Sequence, residues 1–282
     1  MIPIPESEPE APITPGFAIL LTLIVGFFQM AFLVTFREAS EAAAPALLGS
    51  ATILGFGLAL YLAASRIPDP PGFWLGFVRP PPIAWSAALF LSGSVLLISE
   101  ADNIWKRIFP LPEELSSAPQ ALPSGAGYAL SLGLLLIVVR PLAQEILFRG
   151  LLQPHFVRAW GAARGVLFCA ALNAVAFALL NPWSLASVLT MALVLGILRA
   201  STHSILPGLA LHAGFGALTV LASYQVFGIP GFDDTSAPHT PLEWLAPAAL
   251  MTGIGFGLCR SASALPPPAP PEDSGAPSEP HG

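Results

Sequence analysis

Several long stretches of the sequence contain no Asp, Glu, Lys or Arg. The first runs from Phe17 to Phe36, and its 20 residues suffice as a helix to cross the ~30 Å hydrocarbon core of a bilayer. Lipid offers the backbone no hydrogen-bond partners, so such stretches must be helical rather than open strands. Only 10% of the residues are charged, against about 25% in soluble domains. The sequence therefore predicts an all-α, polytopic transmembrane helical bundle.

The bundle is expected to contain about eight helices, separated by proline-rich breaks and by the Asn181-Pro182 pair. Residues 1–15 contain three glutamates and no Lys or Arg, whereas a signal peptide begins with basic residues, so the first stretch is predicted to be a retained span. The expected spans are 16–37, 44–65, 83–101, 127–157, 163–181, 184–200, 203–225 and 242–261.

The composition divides the chain into three parts. Residues 1–15 are rich in Pro and Glu, and residues 263–282 are rich in Pro and acidic, so both are predicted to be disordered tails around a transmembrane helical domain at 16–262. Within the domain, residues 104–109 combine aromatic and cationic side chains, which is typical of an interfacial stretch.

Loop cations suggest an orientation and exclude one class of partner. Six loop cations lie on the side of the termini and three on the opposite side, which favours both termini in the cytoplasm. The net charge of -6 argues against nucleic-acid binding, which needs a basic face. The six are Arg66, Arg79, Arg158, Arg164, Arg199 and Arg260, and the three are Arg37, Lys106 and Arg107.

Glu145 is the one acidic residue between Glu114 and Asp233, and it lies inside an apolar run. A charge at the bilayer centre costs at least ~2.5–3.5 kcal/mol, so such residues are usually paired and usually functional. Arg149 follows at i+4 on the same helical face, in the favourable order of acid before base. Gln144 precedes Glu145. On these residues alone, an ion pair that joins two helices and a functional site are equally compatible with the pattern.

Polar residues on two further spans favour a site. Asn173, Phe177 and Asn181 recur at i, i+4 and i+8, so they face one neighbouring helix. His212 lies midway along the seventh expected span, where a lone histidine is more often a packing residue than a ligand. These three spans can converge in the core of a bundle, which is where helical proteins build sites.

In this arrangement the chain resembles the CPBP family of membrane proteases, the type II CAAX prenyl endopeptidases with their bacteriocin-processing and immunity relatives. The family carries Glu-Glu-x-x-x-Arg, Phe-x-x-x-His and His-x-x-x-Asn or Asp motifs in this order. The corresponding segments are 144–149, 177–181 and 212–216, within a core at 127–225. The resemblance implies a membrane peptidase site at Gln144, Glu145, Arg149, Asn181 and His212, with Phe177 and Gly216 at binding positions, in a bacterial inner membrane. Asn173, on the same helical stripe as Phe177, is predicted as a further binding position.

Three of four catalytic positions depart from the family pattern. Gln144 replaces the glutamate that the resemblance makes the activator of water, and a neutral amide cannot accept a proton. Asn181 replaces a histidine, and Gly216 replaces an asparagine. Only His212 remains, with the supporting pair of Glu145 and Arg149. We therefore expect a catalytically impaired homologue that binds a membrane protein or a hydrophobic or prenylated peptide.

Two other functions stay open at this point. One is a live intramembrane protease that uses Glu145 and His212, and the other is a small transporter or channel subunit, which would need a polar path or paired broken helices. No resident cofactor or metal is expected, because Glu145, Asn181 and His212 fall short of the three strong protein ligands usual for catalytic zinc. A divalent ion, if present, would lie near His212. Membrane lipid is the expected surroundings.

Overall fold

The computed structural model describes an all-α protein, as predicted. Its described residues are 13–35, 43–67, 71–110, 125–178, 182–234 and 238–266, and they form helices with one isolated bridge between Pro230 and Asp234. Most of both predicted disordered tails, residues 1–12 and 267–282, lies outside the described residues, so those predictions stay predictions.

Seven helices of the described residues are long and apolar enough to cross a membrane, and Ala162–Phe177 forms a shorter apolar helix. These eight segments agree with the predicted number of spans. In chain order the helices are α1 Pro15–Thr35, α2 Ala44–Ala63, α3 Pro71–Trp74, α4 Pro82–Leu91, α5 Ser94–Ile108, α6 Ala126–Trp160, α7 Ala162–Ala178, α8 Leu185–Thr202, α9 Leu206–Ser223 and α10 Leu242–Ala262.

The third span is longer than predicted. Helices α4 and α5 form one span, Pro82–Ile108, where the sequence predicted an end at residue 101. Polar contacts stabilise the last two turns of α5. Lys106 pairs with Asp102 at 2.5 Å, and the Trp105 indole donates to the Pro182 carbonyl at 3.1 Å. Residues 104–108 of the predicted interfacial stretch are the last residues of α5, and their position at the membrane surface stays a prediction.

Helix α6 is the central helix, and it is not uniformly α-helical. The segments Leu134–Val139 and Glu145–Leu152 are π-helical, and Arg140–Gln144 between them is α-helical. A π-helical turn bonds residue i to i+5 and occurs often at functional sites. The second π segment is almost entirely buried, so its two charged residues, Glu145 and Arg149, lie inside the bundle rather than against lipid.

Two apolar clusters flank α6. One contains side chains of α1, α2, α6 and α7, among them Phe56, Phe148 and Phe177. The other contains side chains of α4, α5, α8, α9 and α10, among them Leu198 and Phe215. Polar contacts join α6 to α8 between the clusters, as when the Gln153 amide donates to the Gly196 carbonyl at 2.8 Å. The polar core of the protein thus lies where the two clusters meet.

Helix α9 approaches α6 closely at Gly216. A Cβ at this position would overlap the carbonyl oxygen of Leu136, which lies in the first π segment. Glycine lets helix backbones come together in lipid, where apolar burial alone does not drive association. At Gly214, two residues earlier, a Cβ would meet no atom within 4 Å.

We predict that Gly216→Ala destabilises the protein by about 1–3 kcal/mol, because the added methyl forces two packed backbones apart. The measurement is thermal unfolding of the detergent-solubilised chain. Gly214→Ala is the matched control and is expected to leave the midpoint unchanged or slightly raised. Equal midpoints for the two variants would contradict the close packing of α9 on α6.

Candidate functional site

The centre of the site is the carboxylate of Glu145, which is fully buried. Its Oε1 lies 3.0 Å from Nδ1 of His212 on α9 and 3.5 Å from Nη1 of Arg149, one turn later on α6. The contact expected from the i,i+4 spacing is therefore present, and the histidine on α9, three helices later in the chain, joins it. Because the carboxylate accepts, the His212 Nδ1–H donates and the imidazole is held in one orientation.

Arg149 is 1% exposed and has partners on two further helices. Its Nη2 donates to the carbonyl oxygen of Ala192 on α8 at 3.1 Å. In the amide orientation that pairs donors with acceptors, the Asn173 oxygen on α7 accepts from Nη1 at 3.0 Å and from Nη2 at 3.3 Å. One guanidinium therefore links α6, α7 and α8, as its planar fork of donors allows.

Gln144 points away from Glu145, towards α7. Its Oε1 accepts from the Asn173 amide nitrogen at 3.3 Å in the same orientation, whereas Glu145 faces His212 on α9. Neighbouring residues of a helix project about 100° apart, which explains why these two side chains serve different partners. The position that the family resemblance assigns to the base is occupied by a buried amide in a hydrogen bond to another amide.

Three predicted residues remain: Phe177, Gly216 and Asn181. Phe177 lies one turn after Asn173 on α7 and contacts α6, where the Arg140 guanidinium stands 4.7 Å from its ring centre. Gly216 packs on Leu136, as described above. Asn181 lies outside the described residues, so its place relative to the site stays a prediction.

Sequence reasoning missed Arg199, which it counted as a loop cation. Arg199 is buried, its Nε donates to the Arg149 carbonyl at 3.2 Å, and the loop from Leu75 to Pro80 covers it. Gly76 there has a φ of +84°, and a Cβ at this residue would lie 2.7 Å from the Arg199 Nη2. Glycine at this position permits both the backbone conformation and the close contact. A glycine in this loop is compatible with a close contact, but the sequence does not show that the contacting residue is Arg199.

A second polar cluster, which the sequence did not predict either, joins α5 to the segment before α10. Glu100 on α5 binds His239 Nδ1 at 2.6 Å and the Thr240 backbone N–H at 2.9 Å, and Arg107 lies 3.1 Å from His239 Nε2. Arginine only donates, so Nε2 accepts and Nδ1 carries the hydrogen. This cluster fastens the segment before α10 to α5.

The chemistry open to the central site is limited by its donors. Among the described residues no group of three or more His, Cys, Asp or Glu side chains could hold a metal ion. Glu145 and His212 bind each other, and two ligands fall short of a catalytic zinc site. The Glu145 Oε2 is buried without a partner in the described part of the chain, and a Cβ at Gly208 would lie 3.2 Å from it.

Fold and site together define a multi-pass helical membrane protein with a buried Glu–Arg–His cluster in its core. Residues 126–218 match the family model described as Type II CAAX prenyl endopeptidase Rce1-like. The match contains every described site residue on α6, α7 and α9, and it confirms the family resemblance drawn from the motifs. No significant match is found among curated proteins or solved structures.

We predict that Glu145→Gln destabilises the protein by about 3–5 kcal/mol, because it leaves the Arg149 charge buried and unbalanced. Thermal unfolding in detergent measures the effect, and combining Glu145→Gln with Arg149→Met is expected to recover part of the loss. Lys106→Gln removes a pair that is 44% exposed on the lysine side and should cost less than about 1 kcal/mol. A Glu145→Gln protein as stable as the wild type would show that this contact does not hold the core.

Proposed function

We propose that this chain, whose residues 126–218 match the CAAX-type membrane protease family model, binds a hydrophobic or prenylated peptide, or a segment of a membrane protein, without efficient hydrolysis. The observation that carries the proposal is the different orientation of Gln144 and Glu145. The amide occupies the position assigned to the base, and the one nearby carboxylate turns to another helix, where Arg149 and His212 bind it.

Energetics support impaired catalysis. A positioned general base contributes typically 10²–10⁴-fold to a rate, and Gln144 cannot supply this because an amide does not take up a proton. Gly216 has no side chain to polarise a substrate, and the Leu136 backbone fills the space that a side chain there would need. Each missing hydrogen-bond donor to a developing oxyanion costs about a further 10²–10³-fold.

Retention of the supporting network favours binding over simple decay. Glu145, Arg149 and Asn173 are buried with complementary partners, although polar groups at this depth are costly. Replacing a buried ion pair by apolar residues of similar volume is often neutral or stabilising, so stability alone does not require this network. The buried, paired network supports a preorganised polar site at the junction of α6, α7 and α9.

We further infer that both termini face the cytoplasm, in a bacterial inner membrane. The two cations on the opposite side that the structure describes, Lys106 and Arg107, contact Asp102 and His239. Exposed Arg158, Arg164 and Arg260 lie at the ends of α6, α7 and α10 on the side of the termini. With the buried Arg199 left out, five loop cations on the side of the termini stand against Lys106 and Arg107 among the described residues, which supports the orientation under the positive-inside rule.

Reconstituted protein tests the proposed function. The full chain in liposomes is expected to bind a fluorescent farnesylated peptide saturably and to release no C-terminal fragment above the rate of protein-free liposomes, because Gln144 cannot activate water. Binding is measured by anisotropy and cleavage by mass spectrometry. An unrelated polytopic membrane protein in the same liposomes is the control for partition into lipid. Turnover that disappears in both Glu145→Ala and His212→Ala would contradict the proposal.

One observation favours a second candidate, an active protease that uses Glu145 and His212. These side chains are in direct contact, and the Glu145 Oε2 has no partner among the described residues. The other oxygen of this carboxylate, Oε1, already binds His212 and Arg149, so Oε2 is the Glu145 oxygen that remains available as a base. The cleavage assay above separates the two candidates, because only the active protease gives turnover that depends on both residues.

A further inference from the structure

Arg140 is a half-buried cation at the contact of α6 with α7 that the proposed function has not used. It lies on α6, and its guanidinium stands 4.7 Å from the ring centre of Phe177 on α7. Its Nε is buried and has no hydrogen-bond partner among the described residues. No carboxylate in the described part of the chain forms an ion pair with it. The aromatic contact stabilises the cation but does not balance its charge.

The charges around the site do not cancel. Glu145 is the only acidic residue in the sequence between Glu114 and Asp233, and its bonded oxygen already serves His212 and Arg149. Arg149 and Arg199 also donate to backbone carbonyls of α8 and α6. Three arginines therefore share one carboxylate, and Arg140 is the arginine without a polar partner in the described residues. An uncompensated charge at membrane depth calls for an anion.

Gln144 bears directly on the availability of Arg140. Residues 140 and 144 are the two ends of the α-helical segment Arg140–Gln144, so their i,i+4 spacing puts them on one face. A glutamate at 144 would neutralise Arg140 within the helix, whereas the amide leaves the cation free. Glutamine in place of the family's glutamate at position 144 thus removes a base and also leaves the charge of Arg140 unneutralised beside the site.

The position of Arg140 along α6 decides which anion fits. It is 14 residues from Ala126 and 20 from Trp160, the ends of its span, or roughly 20 Å or more from either end at ~1.5 Å per residue. Because α6 is longer than the ~30 Å hydrocarbon core, a core centred on the helix places Arg140 roughly 10 Å inside its edge, below the level of the phospholipid phosphates. A carboxylate on a hydrophobic chain reaches that depth, and its two oxygens match the guanidinium fork.

We propose that Arg140 binds the carboxylate of a hydrophobic ligand in this site, with Phe177 holding the guanidinium plane. The inference deepens the proposed function and rests on it, since it states which chemical group of the ligand the site recognises. The carboxylate is supplied by the free C-terminus of a bound peptide or by a fatty acid. In either case recognition comes from Arg140, which the supporting network of Glu145 and Arg149 does not include.

The test compares matched ligands on the full chain in nanodiscs of zwitterionic lipid. The probes are one farnesylated peptide with a free C-terminal carboxylate, the same peptide as a C-terminal amide, and dodecanoate with dodecanamide as competitors. Wild-type protein is expected to prefer each carboxylate over its amide by about tenfold or more, as a charge-assisted bidentate pair requires.

Three variants assign the preference to Arg140. Arg140→Gln is expected to erase it while leaving the affinity for the amide peptide unchanged, which also shows that the protein is folded. Gln144→Glu should erase it too, because the new carboxylate pairs with Arg140, so the test does not depend on one variant folding. Arg158→Gln removes an exposed charge from the same helix and should keep the preference.

The outcomes separate this inference from the proposed function. Equal binding of acid and amide peptides to wild-type protein overturns the carboxylate site while peptide binding stands. Arg140-dependent binding of dodecanoate without binding of either peptide supports the carboxylate site and overturns the peptide as ligand. A preference for the carboxylate that survives in Arg140→Gln overturns the role of Arg140, and no binding of any probe overturns both proposals.

Discussion

One oxygen atom of Glu145 holds together the helices that build the core. Through it the carboxylate contacts His212 on α9 and Arg149 on its own helix, and Arg149 extends the contact to the Ala192 carbonyl on α8. In a medium of low dielectric such contacts are strong, and an unpaired member is correspondingly costly. Helices that could slide along one another in lipid are thereby fixed in register, and Asn173 adds α7 to the same set.

Close backbone approaches make room for this polar core. Gly150, next to Arg149, lies where a Cβ would stand 2.9 Å from the Leu75 carbonyl oxygen, and Gly208 leaves space beside the Glu145 carboxylate. The π-helical turn of Glu145–Leu152 widens α6 where its charged residues must face inward. The glycines therefore contribute to the site by leaving space for close packing around its charged residues.

The sequence predicted contacts that follow from helical periodicity and missed those that follow from tertiary packing. The spacing of Glu145 and Arg149, and of Asn173 and Phe177, predicted that each pair shares a helical face. In the structure the first pair lies on α6, and the second pair, on α7, contacts residues of α6. Burial of Arg199 under the loop at Gly76 arises from residues 123 positions apart, which no local pattern encodes. The extension of α5 past residue 101 follows from its contacts with Pro182 and His239, so hydropathy alone ended that span too early.

The partners of Arg149 and Arg199 have an evolutionary consequence. Each arginine donates to a main-chain carbonyl, of Ala192 and of Arg149 respectively, and every amino acid supplies that acceptor. Replacement of a neighbouring side chain thus leaves these anchors in place. Such a frame can keep its architecture while the side chains around it are exchanged, because the acceptors of both arginines belong to the main chain.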